Sequence, residues 1–311
     1  MFRRTPRVFA ASLAVAALAL GACAEKTTDT PAASGSPSAA TFPVTVGSLM
    51  LEQRPEKIVS LSATATEMLF AIGAGPQVTA VDDQSNFPAD APKTDLSGYQ
   101  PNAEAVAAKD PDLVVLSDDR NKIVEQLTTL KIPVYLTPAA QTLDDTYRQL
   151  TELGTLTGNA DAAADVVQRM KDDITKIVAE VPQRAQAPTY FHELGPELYT
   201  ATSKTFIGSI YSLAGLENIA DAADADGKNG GYPQLSQEVI VDADPDFIFL
   251  SDVKCCQQSA ATVKARSGWG SLTAVQQDQV VELDDDVASR WGPRVVDLLR
   301  TIVDATAKAA E

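Results

Sequence analysis

Residues 101–118 read Pro-Asn-Ala-Glu-Ala-Val-Ala-Ala-Lys-Asp-Pro-Asp-Leu-Val-Val-Leu-Ser-Asp, and residues 233–252 write a related phrase, Pro-Gln-Leu-Ser-Gln-Glu-Val-Ile-Val-Asp-Ala-Asp-Pro-Asp-Phe-Ile-Phe-Leu-Ser-Asp. In each copy a glutamate, Glu104 or Glu238, opens a short helical run. Asp-Pro-Asp ends that run six positions later, and an unbroken apolar run closing in Ser-Asp follows. Proline removes a backbone donor and pushes the residue before it out of the helical region, so each helix must stop there. Continuous apolar runs of this length suit strands buried on both faces, as in a parallel sheet. Glutamate, breaker and strand recurring in one register divide the chain into two similar lobes.

Working outward, Lys57–Ser60, Val78–Val81, Leu113–Leu116 and Val134–Thr137 read as strands. Ser62 opens a helix that runs through Phe70 and Ile72 to a stop at Gly73, and Asn121–Leu130 reads as another helix. After Thr142 the pattern is almost purely helical. A first piece ends near Gly154 and Gly158, and a second begins at Asn159 as cap, with apolar residues at Ala163, Val166, Val167, Met170, Ile174, Ile177, Val178 and Val181. These define one face of an amphipathic helix about 30 Å long, enough to join two lobes. Strands resume at Thr189–Glu193, Phe247–Leu250 and Val280–Leu283. Thr205–Gly215 repeats the helix-to-glycine pattern, and a closing helix starts near Pro293. The alternation predicts an α/β fold: two Rossmann-like lobes with central, mainly parallel sheets, joined by a single long α-helix. The expected boundaries are 42–141 for the N-terminal lobe, 142–183 for the helical connector and 184–311 for the C-terminal lobe.

At the amino terminus Arg3, Arg4 and Arg7 precede an apolar run from Val8 to Leu20 that ends in Leu20-Gly21-Ala22-Cys23. Its length suits a signal h-region and is short for a membrane span. The ending resembles a bacterial lipobox, which makes 1–22 a signal peptide and Cys23 the lipidated residue; the alternative is an ordinary secretory leader cut nearby. Residues 23–41, rich in Thr, Ser, Ala and Pro, read as a disordered tether. The protein is then exported and lipid-anchored at the outer face of the cytoplasmic membrane. The chain has three cysteines, so lipidation of Cys23 leaves Cys255 and Cys256 as a pair. Two readings of that pair stand: a vicinal disulfide stiffening a loop, or metal capture by adjacent thiols.

A formal net charge of −17 excludes a nucleic-acid partner, since no basic surface is available to meet phosphates. Walker, dinucleotide-binding, zinc-protease and nucleophile-elbow motifs are all missing, and His192 is the single histidine. The acidic pairs read as solvated strand ends, so the expectation is a protein with no enzymatic activity, no cofactor and no resident metal. Two lobes sharing a repeat suit a binding protein, whose ligand sits beyond the carboxyl ends of the strands.

Ile58-Val59-Ser60-Leu61-Ser62-Ala63-Thr64-Ala65-Thr66-Glu67-Met68-Leu69-Phe70-Ala71-Ile72-Gly73, Asn86-Phe87-Pro88 and Asn102-Ala103-Glu104 with its Asp-Pro-Asp strand resemble the iron-complex and vitamin B12 family of ABC-transporter substrate-binding proteins. The resemblance runs from about Lys57 to Lys308. It implies the helical-backbone periplasmic-binding-protein fold, a monomer, and capture of an iron-siderophore complex or cobalamin for delivery to a permease dimer. Haem is an alternative ligand, and a surface sensor or envelope-assembly receptor an alternative role. Iron or cobalt would belong to the ligand. Glu104 and Glu238 fall where the family carries one acidic residue per lobe for salt bridges to the permease. Tyr99, Tyr232 and Arg290 match cleft positions of cobalamin-binding relatives. Trp291 and Arg294 flank Arg290, with Arg294 expected to be structural. Gln84 stands where those relatives have tyrosine. His192 is either a ligand to iron or cobalt or a packed strand residue.

Overall fold

The computed structural model describes residues 41–309. The segment expected to be a signal peptide, Cys23 and the expected tether up to residue 40 lie outside the described residues. A short antiparallel hairpin, β1 (Val44–Val46) and β2 (Leu49–Leu51), comes first. The first lobe is built on a parallel sheet of β3 (Ile58–Leu61), β4 (Val78–Val81), β5 (Leu113–Leu116) and β6 (Val134–Leu136), ordered β4-β3-β5-β6. The second is built on β7 (Thr189–Glu193), β8 (Glu217–Asn218), β9 (Phe247–Leu250) and β10 (Val280–Glu282), ordered β10-β9-β7-β8 and again parallel. Taken in chain order within each sheet, both have the second strand beside the first and the third and fourth on its other side. The repeat seen in the sequence is therefore a repeat of topology. Strands β3, β5 and β9 are buried at every residue, as the unbroken apolar runs of β5 and β9 require, and β3 buries Ser60 with its apolar neighbours.

Helices α1 (Ala63–Ala71), α2 (Ala103–Ala107) and α3 (Ile123–Thr129) belong to the first lobe, and α4 (Leu143–Thr157) and α5 (Ala160–Ala179) follow it. The second lobe adds α6 (Phe206–Leu213), α7 (Gln237–Ala243), α8 (Val253–Cys256), α9 (Ala260–Lys264), α10 (Thr273–Gln276), α11 (Asp285–Ala288) and α12 (Val295–Lys308).

The Asp-Pro-Asp breaker does the same work in both lobes. Its first aspartate takes a left-handed backbone, φ 52° at Asp110 and 41° at Asp244, which ends the helix. Its second reaches the entrance of the neighbouring strand. Asp112 accepts from the backbone amides of Glu56 and Lys57 at 2.8 and 2.9 Å, and Asp246 accepts from Thr189 N at 2.7 Å and Thr189 Oγ1 at 3.1 Å. One tripeptide thus stops a helix and pins the start of β3 or β7. Matching caps repeat too: Ser62 Oγ accepts from Ala65 N at the head of α1, and Thr205 Oγ1 from Gly208 N at the head of α6.

Three details depart from the sequence reading. Asn159 stands at the head of α5 without capping it. Its amide instead donates to Gln77 Oε1 at 3.1 Å and to Thr157 O at 3.1 Å, because the carbonyl left open at the end of α4 competes for the same side chain. The helix expected from Asn121 starts at Ile123, since Asn121 and Lys122 are both left-handed. The closing helix starts at Val295, just past Pro293.

One apolar cluster joins the lobes. It runs from Ile58, Met68, Leu69 and Val115 through Leu150 and Leu153 of α4 and Met170 and Ile177 of α5 to Ile210, Phe249 and Leu299. The connector is thus α5 packed between α4 and α12. Gly154 marks the tightest point, where a Cβ would lie 2.4 Å from Ala163 Cβ. On the opposite sheet faces, Val59, Val114 and Leu127 form a core for the first lobe, and Ile248, Leu250 and Trp269 one for the second.

Candidate functional site

A cleft of about 430 Å³ opens at the carboxyl ends of the first sheet, where the strands end in Leu61-Ser62, Asp82 and Ser117-Asp118. Tyr99 and Arg120 stand on this side. The opposite wall comes from the α11–α12 junction through Asp286, Ser289, Arg290 and Trp291. Of the residues singled out from sequence, Tyr99, Gln84, Arg290 and Trp291 line the cleft.

Arg290 lines it in a different role from that expected. Its Nη1 donates to Glu67 Oε1 at 2.7 Å, and its Nη2 donates to Gln84 O at 3.0 Å and Asp286 Oδ1 at 2.7 Å. Arg294 forks onto the same glutamate, Nε to Oε2 at 2.9 Å and Nη2 to Oε1 at 2.5 Å. Glu67 lies on α1 at 3% exposure, so one buried carboxylate from the first lobe is gripped by two guanidiniums from the second. Asn86 adds a bond to Asp286 Oδ2 at 3.0 Å, and the Arg294 guanidinium lies 4.2 Å over the Phe87 ring. Arg290 is a fastener between lobes, with both of its terminal nitrogens already engaged. Trp291 is likewise held: its Nε1 donates to Gln149 Oε1 at 2.9 Å, and its carbonyl accepts from Thr146 at 2.9 Å. The indole forms a fixed wall.

The first-lobe wall is looser. Tyr99 is 67% exposed, and the Arg120 guanidinium lies 4.4 Å over its ring while its Nε sits 3.1 Å from Asp118 Oδ2. An exposed ion pair and an exposed cation–π contact are each worth below about 1 kcal/mol. Below them Asp82 accepts from Ser85 Oγ at 2.5 Å, the Ser85 and Thr66 hydroxyl oxygens lie 2.8 Å apart, and Thr66 donates to Ser60 Oγ at 2.9 Å. Burial raises the Asp82 carboxyl above its ordinary range. Gly98 is obligatory beside it: a Cβ there would sit 2.4 Å from Asp82 Oδ2 and 2.7 Å from Leu61 O.

The other candidates sit elsewhere. His192 is fully buried on β7, with Nδ1 2.8 Å from the Tyr211 hydroxyl; burial lowers its pKa to about 3, so it is a neutral core residue outside the cleft lining. Of the two readings of this histidine, the packed one describes its place. Tyr232 is exposed and likewise outside the lining. Cys255 and Cys256 are bonded to each other on the exposed α8, also away from the lining. Glu104 and Glu238 are exposed and hold the second position of α2 and α7.

Sequence reasoning missed Glu67 as an interlobe residue, although a lone carboxylate inside an otherwise uncharged helix was a signal. It also missed Arg120, which follows the Ser-Asp end of a strand already assigned to the cleft side. A third omission is the carboxyl pair behind α8. Glu193 is fully buried and takes Arg266 in a fork, at 2.6 and 2.5 Å. Asp252 is fully buried beside it, and its two oxygens have no partner among the described residues. Burial first, and the Glu193 charge second, push Asp252 up to about 7.

Two predictions follow from these charges. The folded protein holds the Asp252 proton to about pH 7, whereas the unfolded chain releases it near 3.8, so this group makes stability fall as pH rises across that window. His192 acts oppositely below 6.5, where the unfolded chain gains a proton that the fold excludes. In urea melts at pH 4, 5.5 and 8, Asp252→Asn is expected to gain stability relative to the unsubstituted protein as pH rises to 7, then level off. A pH-independent difference would refute the raised carboxyl. Glu67→Gln removes the only carboxylate on Arg294 among the described residues and one of the two on Arg290, and should destabilise by about 3–5 kcal/mol in the same melts; a loss under about 1 kcal/mol would show that the fastener is dispensable.

Comparisons with known proteins agree with this geometry. The periplasmic binding protein family profile matches residues 58–287. A cobalamin-binding protein of Halobacterium salinarum is 33% identical over 280 residues, covering 86% of this chain and 75% of that protein. An uncharacterized ABC transporter substrate-binding lipoprotein of Bacillus subtilis is 27% identical over 310 residues, covering 95% of both chains. The crystal structure of the periplasmic vitamin B12 binding protein of Vibrio cholerae superposes with a TM-score of 0.67 at 27% identity, covering 83% of this chain and 98% of that one. With two like-wound parallel sheets, a cleft at the strand ends of the first, and the family profile matched across both lobes, this chain belongs to the periplasmic binding protein family.

Proposed function

We propose that the protein is the ligand-capturing subunit of an ABC importer and takes a bulky metal chelate, cobalamin or an iron-siderophore complex, in the cleft between its lobes. The observation that carries this reading is the pairing of an exposed Tyr99 from one lobe with a fixed Trp291 from the other across a cavity at the strand ends. Flat apolar faces with polar tips suit a planar chelate. The Halobacterium and Vibrio relatives favour the corrinoid within this class. Iron or cobalt stays with the ligand, and His192, being buried, supplies no bond to it. The protein works by binding alone.

Export and anchoring through Cys23 are part of the same reading, supported by the lipobox-like sequence and by the lipoprotein among the relatives. Glu104 and Glu238, in equivalent positions of two lobes with one topology, would meet a permease dimer through paired salt bridges. The monomer state expected from the resemblance fits this arrangement, with one receptor spanning both permease subunits.

Trp291 is the cleft's own reporter. Titrating the full chain in detergent with cyanocobalamin and with ferric siderophores should quench its emission saturably, and Trp291→Phe should remove that signal while Trp269 continues to emit. An identical saturable response in Trp291→Phe would place the ligand outside the cleft. For docking, Glu104→Lys combined with Glu238→Lys should lower uptake in cells at unchanged ligand affinity; uptake at the original rate would end that assignment.

A further inference from the structure

Two cationic side chains line the cleft, and they are not equivalent. Arg290 is 8% exposed, with Glu67, Asp286 and the Gln84 carbonyl already on its guanidinium. Arg120 keeps 43% of its side chain exposed, and only its Nε side is engaged, by Asp118. Its two terminal nitrogens have no acceptor among the described residues. The same guanidinium covers the Tyr99 face at 4.4 Å, the surface a planar ligand would need.

The backbone around Arg120 is specialised for this placement. Asn121 and Lys122 follow it at φ 57° and 56°, two consecutive left-handed residues of which neither is glycine. Such conformations persist where surrounding contacts enforce them, and they concentrate at functional sites. Here Val124 N donates to Asp119 Oδ1 at 2.9 Å, and Gln126 Nε2 donates to Asn121 O at 2.7 Å. The turn is therefore held from the α3 side, and Arg120 is delivered to the end of β5.

We propose that Arg120 is the specificity-determining residue of the cleft, a displaceable cation that reads a single compact anion lying beside the flat face of the chelate on Tyr99. This rests on the reading of the site as a chelate receptor. As the ligand takes the tyrosine face, Arg120 swings off it and turns its free fork to the anion, while Asp118 keeps the Nε end in place. A fork of this shape pairs with a phosphate or carboxylate through two parallel hydrogen bonds. The cleft does not extend the same welcome to a polyanion. Asp82, Asp118 and Asp286 line it, and a second or third negative group would face them with Arg290 already paired. The fitting class is a chelate with one monoanionic group, such as a corrinoid carrying a phosphodiester, rather than a ferric tricatecholate.

The test uses the full chain in detergent and calorimetric titration with three probes: cyanocobalamin, which carries one phosphodiester; dicyanocobinamide, which has the same ring without it; and a ferric tricatecholate. The unsubstituted protein should bind cyanocobalamin more tightly than the tricatecholate. Arg120→Ala should weaken cyanocobalamin about tenfold and dicyanocobinamide less than about twofold, and Arg120→Lys should recover part of the loss. Arg120 is exposed, and a thermal melt checks that the variants fold. Equal losses for both corrinoids would mean that Arg120 reads the ring, and no loss would remove it from the site; either overturns the proposal. Tighter binding of the tricatecholate would overturn the single-anion rule while leaving the chelate receptor intact. No binding of any probe by folded protein would remove both.

Discussion

The carboxylate of Glu67 is the contact on which the cleft depends. It lies buried on the first helix of the first lobe and holds Arg290 and Arg294 from the junction that leads into the last helix of the second. Charges removed from water are tolerated only when each is paired, so the whole group stands or falls together. Through Arg290 it fixes Asp286 and the Gln84 carbonyl, and through the α11–α12 junction it sets where Trp291 stands. The separation of the cleft walls at their base is therefore a property of this group. Opening that base would expose unpaired charge, whereas the Tyr99–Arg120 side is exposed and held only by surface contacts.

A second constraint acts in parallel. The apolar cluster passing through α4, α5 and α12 leaves no break between the lobes at which a hinge would form cheaply. Burial of this kind is non-directional and accumulates with area, whereas the Glu67 group is directional and local. Together they give a body whose lobes share topology yet contribute unequally to the site. The first lobe presents strand ends, and the second presents a helix junction. The carboxyl ends of β7 and β9 are instead occupied by Glu193, Asp252 and Arg266, which close that side with a buried polar cluster.

Much of the fold was legible because its signals are local. Apolar runs marked the buried strands, the Asp-Pro-Asp breakers marked helix ends, and the spacing of Ala163, Val166, Met170, Ile174 and Ile177 marked the buried face of α5. The site was legible in part. Resemblance pointed to Tyr99, Tyr232 and Arg290, with Trp291 flanking and Gln84 as a departure; Tyr99, Gln84, Arg290 and Trp291 line the cavity, and Tyr232 and His192 do not. The role of Arg290 was not legible, since its partner lies 223 positions away and no local pattern records that pairing. His192 was ambiguous for a related reason: a histidine on a strand reads the same whether its face is turned to a cavity or to Tyr211.

By itself, then, the sequence determined the repeat and the order of the main strands and helices along the chain, because period, proline and caps act over a few residues. Tertiary structure alone decided which charges are consumed and which remain free. Arg290 and Arg120 are the same residue type at the same cleft, and only the distance to Glu67 makes one a fastener and leaves the other available.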